Sequence, residues 1–262
     1  MSAARRRPPT LPVWMRLRSN LLQAPMLGLA TVLFGSLALL TSLWDRSGRL
    51  QHRIAQIWAR VSLWSAWSPL AVTSREYLRV EGPVVYVCNH TSYMDTPVLF
   101  STIPGQFRIL AKKELWKLPF IGWYLNRSGQ IPVDVTSPRA ALSSLSGGVR
   151  ALREGMSVFV FPEGGRTPDG ALQPFENGAA YLAIRAQVPV IPIALSGIYD
   201  LLPMHTRHYW PTPLRMMVGA PIETAGMTVR EVDALTERLR GTIAAMLDAA
   251  IGSNESTEPV RQ

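Results

Sequence analysis

The chain has 262 residues, is 47% hydrophobic and carries a formal net charge of +9. That length allows one domain of roughly 200 residues with a real core plus an extra segment, and the basic balance suits anionic partners such as lipid head groups, nucleic acid or phosphorylated substrates. A single cysteine, Cys88, excludes an intramolecular disulfide; with four histidines and no His-Glu-x-x-His or Cys-x-x-Cys run, little material remains for a structural zinc site.

Residues 21–44 contain no charged side chain. As a helix they reach about 36 Å, enough for the roughly 30 Å of hydrocarbon in a bilayer. A signal peptide has a shorter apolar core and a small-residue cleavage site, so this stretch reads as a retained membrane segment. Arg5, Arg6, Arg7, Arg16 and Arg18 precede it and Arg46, Arg49, Arg53 and Arg60 follow. With both flanks basic, the positive-inside rule gives no clear orientation, and a hairpin, a re-entrant anchor and a single span all stay open. The next segment places Leu50, Ile54, Ile57, Val61 and Trp64 at helical spacing with arginines between them. It reads as an amphipathic interfacial helix, and five of the eight tryptophans lie before residue 70, as in a membrane-interface belt. A buried helix pair packed on the domain is the alternative.

From about residue 71 the pattern alternates. Residues 84–88, 107–112, 157–161, 188–195 and 214–219 read as strands, the fourth with prolines that suggest an edge or a strand end. Ser137 followed by Pro138 starts a helix whose Leu142, Leu145, Val149 and Leu152 share a face; residues 177–187 form another helix. Val229, Val232, Leu235, Leu239, Ile243 and Met246 mark a closing helix, and the polar tail from Gly252 reads as disordered. The expectation is an α/β fold: a central mixed, mostly parallel sheet flanked by helices, with an N-terminal membrane-associated helical hairpin. It divides as residues 1–70 for the membrane-anchoring segment, 71–250 for the catalytic domain and 251–262 for the tail.

Two strands end in loops that carry chemistry. The first runs Asn89-His90-x4-Asp95. Five residues on a helix turn through about 500°, leaving the pair ~140° apart, so the side chains meet only if His90 precedes the helix that contains Asp95. Asp95 would then fix the ring's tautomer and leave the other nitrogen as a base. Read alone, the loop equally allows Thr91 or Ser92 as a helix cap with His90 on the surface. The second, at residues 161–170, runs from a strand through Pro162 into Glu163, Gly164, Gly165 and Arg166. The glycines allow close backbone approach to a ligand, and Arg166 offers a planar fork for phosphate or carboxylate.

Together the loops resemble the glycerolipid acyltransferase family, of the lysophosphatidic acid acyltransferase type. "NHTSYMD" is similar to its first, catalytic block, "GQIPVD" (129–134) to the second, "FPEGGR" to the third and "VPVIPIAL" to the fourth; "AKKELWKLPFIG" (111–122) is similar to the linking segment. The resemblance implies that His90 is the general base on the hydroxyl of 1-acylglycerol-3-phosphate and that Asp95 orients it. The alkoxide attacks acyl-CoA or acyl-carrier protein directly, giving phosphatidic acid. It implies a substrate site of Glu163, Gly164 and Arg166, with Lys112 as a second cation and Pro192 on the acyl side. No cofactor or metal is implied. The partners are the acyl donor, a lysophospholipid and the membrane surface rather than nucleic acid, and the location is the inner membrane with the site facing the cytoplasm. Two departures matter. Val135 stands where the family's second block commonly has an arginine, leaving Arg127 or Arg139 to substitute, and Gly165 stands where threonine is usual. The first keeps another acceptor open, a lyso-aminolipid or lysocardiolipin.

Other classes fit less well. A membrane phosphohydrolase or esterase lacks a serine elbow and metal ligands, and a non-catalytic scaffold need not keep His90, Asp95, Glu163 and Arg166 together. His205 and His208 form an i, i+3 pair that reads as a surface loop, and Cys88 reads as a buried strand residue.

Overall fold

The computed structural model describes residues 12–204, 206 and 208–255. A seven-stranded sheet forms the centre, in the order β1-β7-β6-β2-β5-β3-β4. The strands are β1 (Leu70–Thr73), β2 (Val85–Cys88), β3 (Phe107–Lys112), β4 (Ile131–Val133), β5 (Ser157–Val160), β6 (Val190–Ser196) and β7 (Leu214–Val218). All neighbours run parallel except β6 and β7. This is the mixed, mostly parallel sheet that alternating strands and helices lead one to expect.

Strand side chains alternate between the two faces, and each face is sealed by helices. Tyr86 and Cys88 of β2 join Phe107, Phe159, Ile191 and Ile193 on one face, under helices α2 (Arg49–Ala66) and α3 (Asp95–Thr102). Val85 and Val87 join Val158, Val160, Val190 and Ala194 on the other. That face lies under α5 (Pro138–Arg153), α6 (Gly178–Ala186) and α8 (Val232–Glu255). Helix α4 (Ile121–Arg127) and the single turn α7 (Ile198–Leu201) complete the set. A parallel sheet covered on both faces explains why β2 is apolar at every position.

Two expectations change here. Strand β6 is interior, between β2 and β7, not at an edge. Residues 193–196 pair with β7, but Val190 pairs with Ile222, so the register slips by one residue beside Pro192. The Pro192 carbonyl accepts from Gly219 N on that side, so the missing proline N–H falls at an irregularity and not within a regular ladder. The closing helix continues to Glu255, through the first residues of the segment expected to be disordered. Arg5, Arg6, Arg7, His205 and the tail beyond residue 255 lie outside the described residues.

The N-terminal hairpin resolves into two unlike helices. Helix α1 (Val13–Thr41, with a π-helical segment at Ser19–Gln23) is long and apolar enough to cross a membrane, and starts well before residue 21. Its leucines at 21, 22, 29, 33, 37 and 40 face outward, while Ser19, Gln23, Ala30 and Ala38 face inward. Helix α2 packs back along it: Gln23 Nε2 donates to the Ser65 and Ala66 carbonyls, and Trp58 Nε1 donates to Thr31 Oγ1. Of the apolar stripe expected at an interface, Leu50, Ile57 and Trp64 are exposed, while Ile54 is buried against the domain. The buried face holds Ala55, Ala59, Ser62, Ser65 and Ala66, because small side chains let α2 approach α1 and α3 closely.

Candidate active site

The parallel strands β2, β5 and β3 are neighbours, so their C-terminal ends open onto one edge of the sheet. His90 follows β2, Glu163 and Arg166 follow β5, and Lys112 ends β3.

Strand β2 ends at Cys88, and the side-chain amide of the next residue, Asn89, continues the ladder. Its Oδ1 accepts from Leu195 N at 2.8 Å and its Nδ2 donates to Leu195 O at 3.0 Å. The chain then leaves the sheet, and α3 starts at Asp95. No residue caps this helix in the usual way. Instead the Asp95 carboxylate turns back into the loop, where Oδ2 accepts from Thr91 N at 2.6 Å and Ser92 N at 2.8 Å. Thr91 Oγ1 adds a bond to Oδ1 at 3.2 Å. These donors and the positive end of α3 stabilise a fully buried carboxylate.

His90 completes that arrangement. Its Nδ1 lies 2.8 Å from Asp95 Oδ2. An ionised carboxylate only accepts, so Nδ1 carries the proton and Nε2 keeps its lone pair. The imidazole stacks on Phe161 with ring centroids 3.7 Å apart and planes inclined by 17°. Burial holds the histidine below its ordinary pKa of 6.5; Asp95 opposes that shift, and the Arg166 and Lys112 charges add to it. The ring is therefore neutral at pH 7 and ready to accept a proton.

The second loop holds the first by its backbone. Glu163 Oε1 accepts from His90 N at 2.6 Å, Oε2 accepts from Gln173 N at 2.9 Å, and Thr167 N donates to His90 O at 2.9 Å. Both main-chain groups of His90 are thus tied down by residues 163–167. Burial raises the Glu163 carboxyl to about 7, although the Gln173 and His90 N–H groups pull it back. Gly164 adopts φ +67°, a left-handed conformation that glycine takes without a Cβ penalty. At Gly165 a Cβ would meet only Lys112 Nζ, at 3.9 Å, so space is open beside that ammonium.

Arg166 stacks on Tyr93, with Cζ 4.0 Å from the ring centroid. Its Nε is buried with no hydrogen-bond partner. An orphaned guanidinium N–H beside a neutral histidine and a lysine suits an incoming anion.

The structure therefore brings His90, Asp95, Glu163, Gly164, Arg166 and Lys112 together. It does not bring Arg127 or Pro192 to them. Arg127 lies in a groove beside the C-terminal part of α1. Pro192 is buried within β6 over Gly219, flanked by Val190 and Ala194 on the sheet face opposite Phe159 and Phe161. Val135 is exposed, and its neighbour Asp134 pairs with Lys113 at 3.2 Å. Cys88 is buried and its thiol is raised well above the ordinary range by burial. Among the described residues no group of three or more His, Cys, Asp or Glu side chains could hold a metal ion.

Sequence reasoning missed the supporting residues. Tyr93 and Phe161 sit inside the quoted blocks, and an aromatic beside a candidate base and another before a candidate anion site were the available signals. Gln173 carried none, because its contribution is a backbone N–H.

Residues 69–196 match the acyltransferase family model. Over 162 residues the chain is 34% identical to a chloroplastic 1-acyl-sn-glycerol-3-phosphate acyltransferase of Brassica napus, covering 62% of this chain and 47% of that one. Over 159 residues it is 34% identical to the human alpha form, covering 60% and 56%. The chain thus spans about half the length of these curated relatives. The crystal structure of the 1-acyl-sn-glycerophosphate acyltransferase PlsC from Thermotoga maritima has the same fold, with a TM-score of 0.74 at 23% identity, covering 95% of this chain and all of that one.

Proposed function

We propose, from the match of residues 69–196 to the acyltransferase family model, that the chain is an O-acyltransferase that moves a fatty acyl group from acyl-CoA or acyl-carrier protein to 1-acylglycerol-3-phosphate, giving phosphatidic acid. The observation that carries the reading is His90, with Nδ1 held by Asp95 and both backbone groups held by the second loop.

His90 Nε2 takes the proton from the free hydroxyl of the lyso-lipid. The oxygen attacks the thioester carbonyl, the C–O bond forms, the C–S bond breaks, and the imidazolium returns its proton to the departing thiolate. Asp95 keeps the proton on Nδ1 throughout and stabilises the transient imidazolium. General-base action of this kind is worth about 10²–10⁴-fold, and the positioning of two substrates supplies the rest. Arg166 and Lys112 receive the acceptor's phosphate, as the unpartnered Nε of Arg166 supports. Glu163 acts on the loops and not on the substrate.

The outward leucines of α1 and the exposed Leu50, Ile57 and Trp64 of α2 support work at a bilayer surface, where the acceptor resides. In this reading the protein sits on the inner membrane with its site toward the cytoplasm.

One observation favours a second acceptor. The second block provides no cation at Val135, and Arg127 does not replace it. A lyso-lipid with a smaller phosphate requirement, such as a lyso-aminolipid, therefore remains in competition. The test is acylation by the purified, detergent-held protein, using labelled acyl-CoA and acyl-carrier protein against several lyso-lipids. Phosphatidic acid as the main product supports the first reading. Transfer to another lyso-lipid alone selects the second, and hydrolysis without an acyl donor would sink both.

A further inference from the structure

The segment between β3 and β4 exposes apolar side chains that neither the sheet nor the catalytic loops use. Phe120 is 66% and Trp123 59% exposed, with Leu118 and Ile121 beside them. Phe120 has φ +61° and ψ −53°, and Ile121 N donates to Pro119 O at 2.7 Å. This is the classic γ-turn geometry, rare and strained for a residue with a side chain. The turn is locked from behind. Gly122 N donates to Leu118 O at 2.8 Å, and a Cβ at Gly122 would fall on the Trp116 carbonyl oxygen. The fold thus accepts strain to hold Phe120 outward, edge-on to Trp123 at 5.2 Å.

These two rings form one wall of a groove of about 660 Å³, within the about 300–1,000 Å³ usual for ligand sites. The facing wall is Leu39 and Leu40 at the end of α1 and Leu43 just after it, and the exposed Arg127 lines the groove as well. Arg127 is exposed and has no ion pair among the described residues. Leu40 and Leu43 belong to the same outward apolar surface as the rest of α1. None of the groove's lining residues belongs to the His90 site.

We propose that this groove seats an anionic phospholipid of the bilayer, one acyl chain between the α1 leucines and the Phe120–Trp123 rings and its phosphate on Arg127. Two apolar walls and one unpaired cation match a lipid's chain and head group. The occupant is at hand because the groove is continuous with the surface the proposed function places in the membrane, and the inference rests on that placement. The seat tethers α4, and through it the residue 113–134 segment that carries Lys113 and Asp134, to the bilayer at a second point.

The test uses the full chain in vesicles of phosphatidylcholine and phosphatidylglycerol. Each lipid in turn carries a photoreactive group on one acyl chain, and adducts are mapped by mass spectrometry. Adducts are expected at residues 36–43 and 120–127, favouring phosphatidylglycerol several-fold. Trp123→Ala should lower them several-fold without changing adducts on Leu29 and Leu33, and Arg127→Gln should remove the preference for the anionic lipid. Equal labelling in all variants, or no adducts at residues 36–43 and 120–127, would overturn the proposal. The readout needs no catalysis, so an inactive protein with normal groove adducts would count against the proposed function and not against the seat.

Discussion

In the loop at residues 89–95, Asn89, His90, Thr91, Ser92 and Asp95 are all buried and hydrogen-bonded; along α1 the leucines face out and Ser19 and Gln23 face in. The first region works because every buried polar atom finds a partner in a low-dielectric setting, where such bonds orient a base. The second leaves unburied leucines that would each contribute about 1.5–3 kcal/mol if covered. The two regions follow opposite rules: the polar network has the burial of a protein interior, and the outward leucines with inward small and polar residues are the arrangement a hydrocarbon surrounding would favour.

The contrast can be broken from either side. The largest effect should come from His90→Ala: acylation falls by about 10²–10⁴-fold with the circular dichroism spectrum unchanged. Retained acylation would remove His90 from the chemistry. On the opposite side, Leu33→Lys on the outward face of α1 should weaken partition into vesicles by about 2.5–3.5 kcal/mol if that residue lies near the bilayer centre. Its thermal unfolding in detergent should barely move, and unchanged partition would mean that α1 faces water.

Glu163→Gln comes next. The amide must present a donor to one of two backbone N–H groups, so stability should drop by about 1–3 kcal/mol in denaturant titrations, with kcat reduced as the His90 loop loosens. The folded-state pKa of Glu163 is raised from 4.5 to about 7. The wild-type stability due to this group is therefore fully present below pH 4.5 and lost as pH rises through about 7. Glu163→Gln should flatten that slope, and an unchanged slope would mean that another group produces it.

Tyr93→Ala should raise the acceptor KM by a few-fold, since an exposed cation–π contact is worth about 0.5–1 kcal/mol, while Tyr93→Phe should keep it near wild type. The smallest effect is a change in the pH profile. His90 sits below its ordinary 6.5 partly because of Arg166, so Arg166→Gln should move the acid limb of kcat/KM to higher pH. A limb that stays in place would show that Arg166 does not depress the histidine.

Much of this was legible in advance for reasons that lie in short stretches of chain. The apolar runs at 84–88, 107–112 and 157–161 became β2, β3 and β5 because period and β-branching act locally. The N-cap at Ser137 appeared as expected, accepting from Ala140 N at 3.2 Å. Strands β1 and β4 were missed because each is short and becomes a strand only by pairing at the rim of the sheet. The exposed Leu50, Ile57 and Trp64 of α2 fit the interfacial face that periodicity suggested; what periodicity could not show is that the opposite face packs on α1 and α3 through Ala59 and Ser62, which fit because they are small, a packing criterion and not a hydropathy one.

The sequence by itself determined the chemistry available: a histidine and an aspartate at a spacing that only a strand-to-helix turn can close, a Glu-Gly-Gly-Arg loop after another strand, and an uncharged segment long enough for a bilayer. Tertiary structure alone decided that Glu163 serves the His90 backbone, that Tyr93 carries Arg166, and that Arg127 and Pro192 stand apart from the site. Those outcomes depend on which strands become neighbours. β2 and β5 lie side by side although some 70 residues separate their loops, and long-range pairing in a parallel sheet is written in the packing of the whole chain.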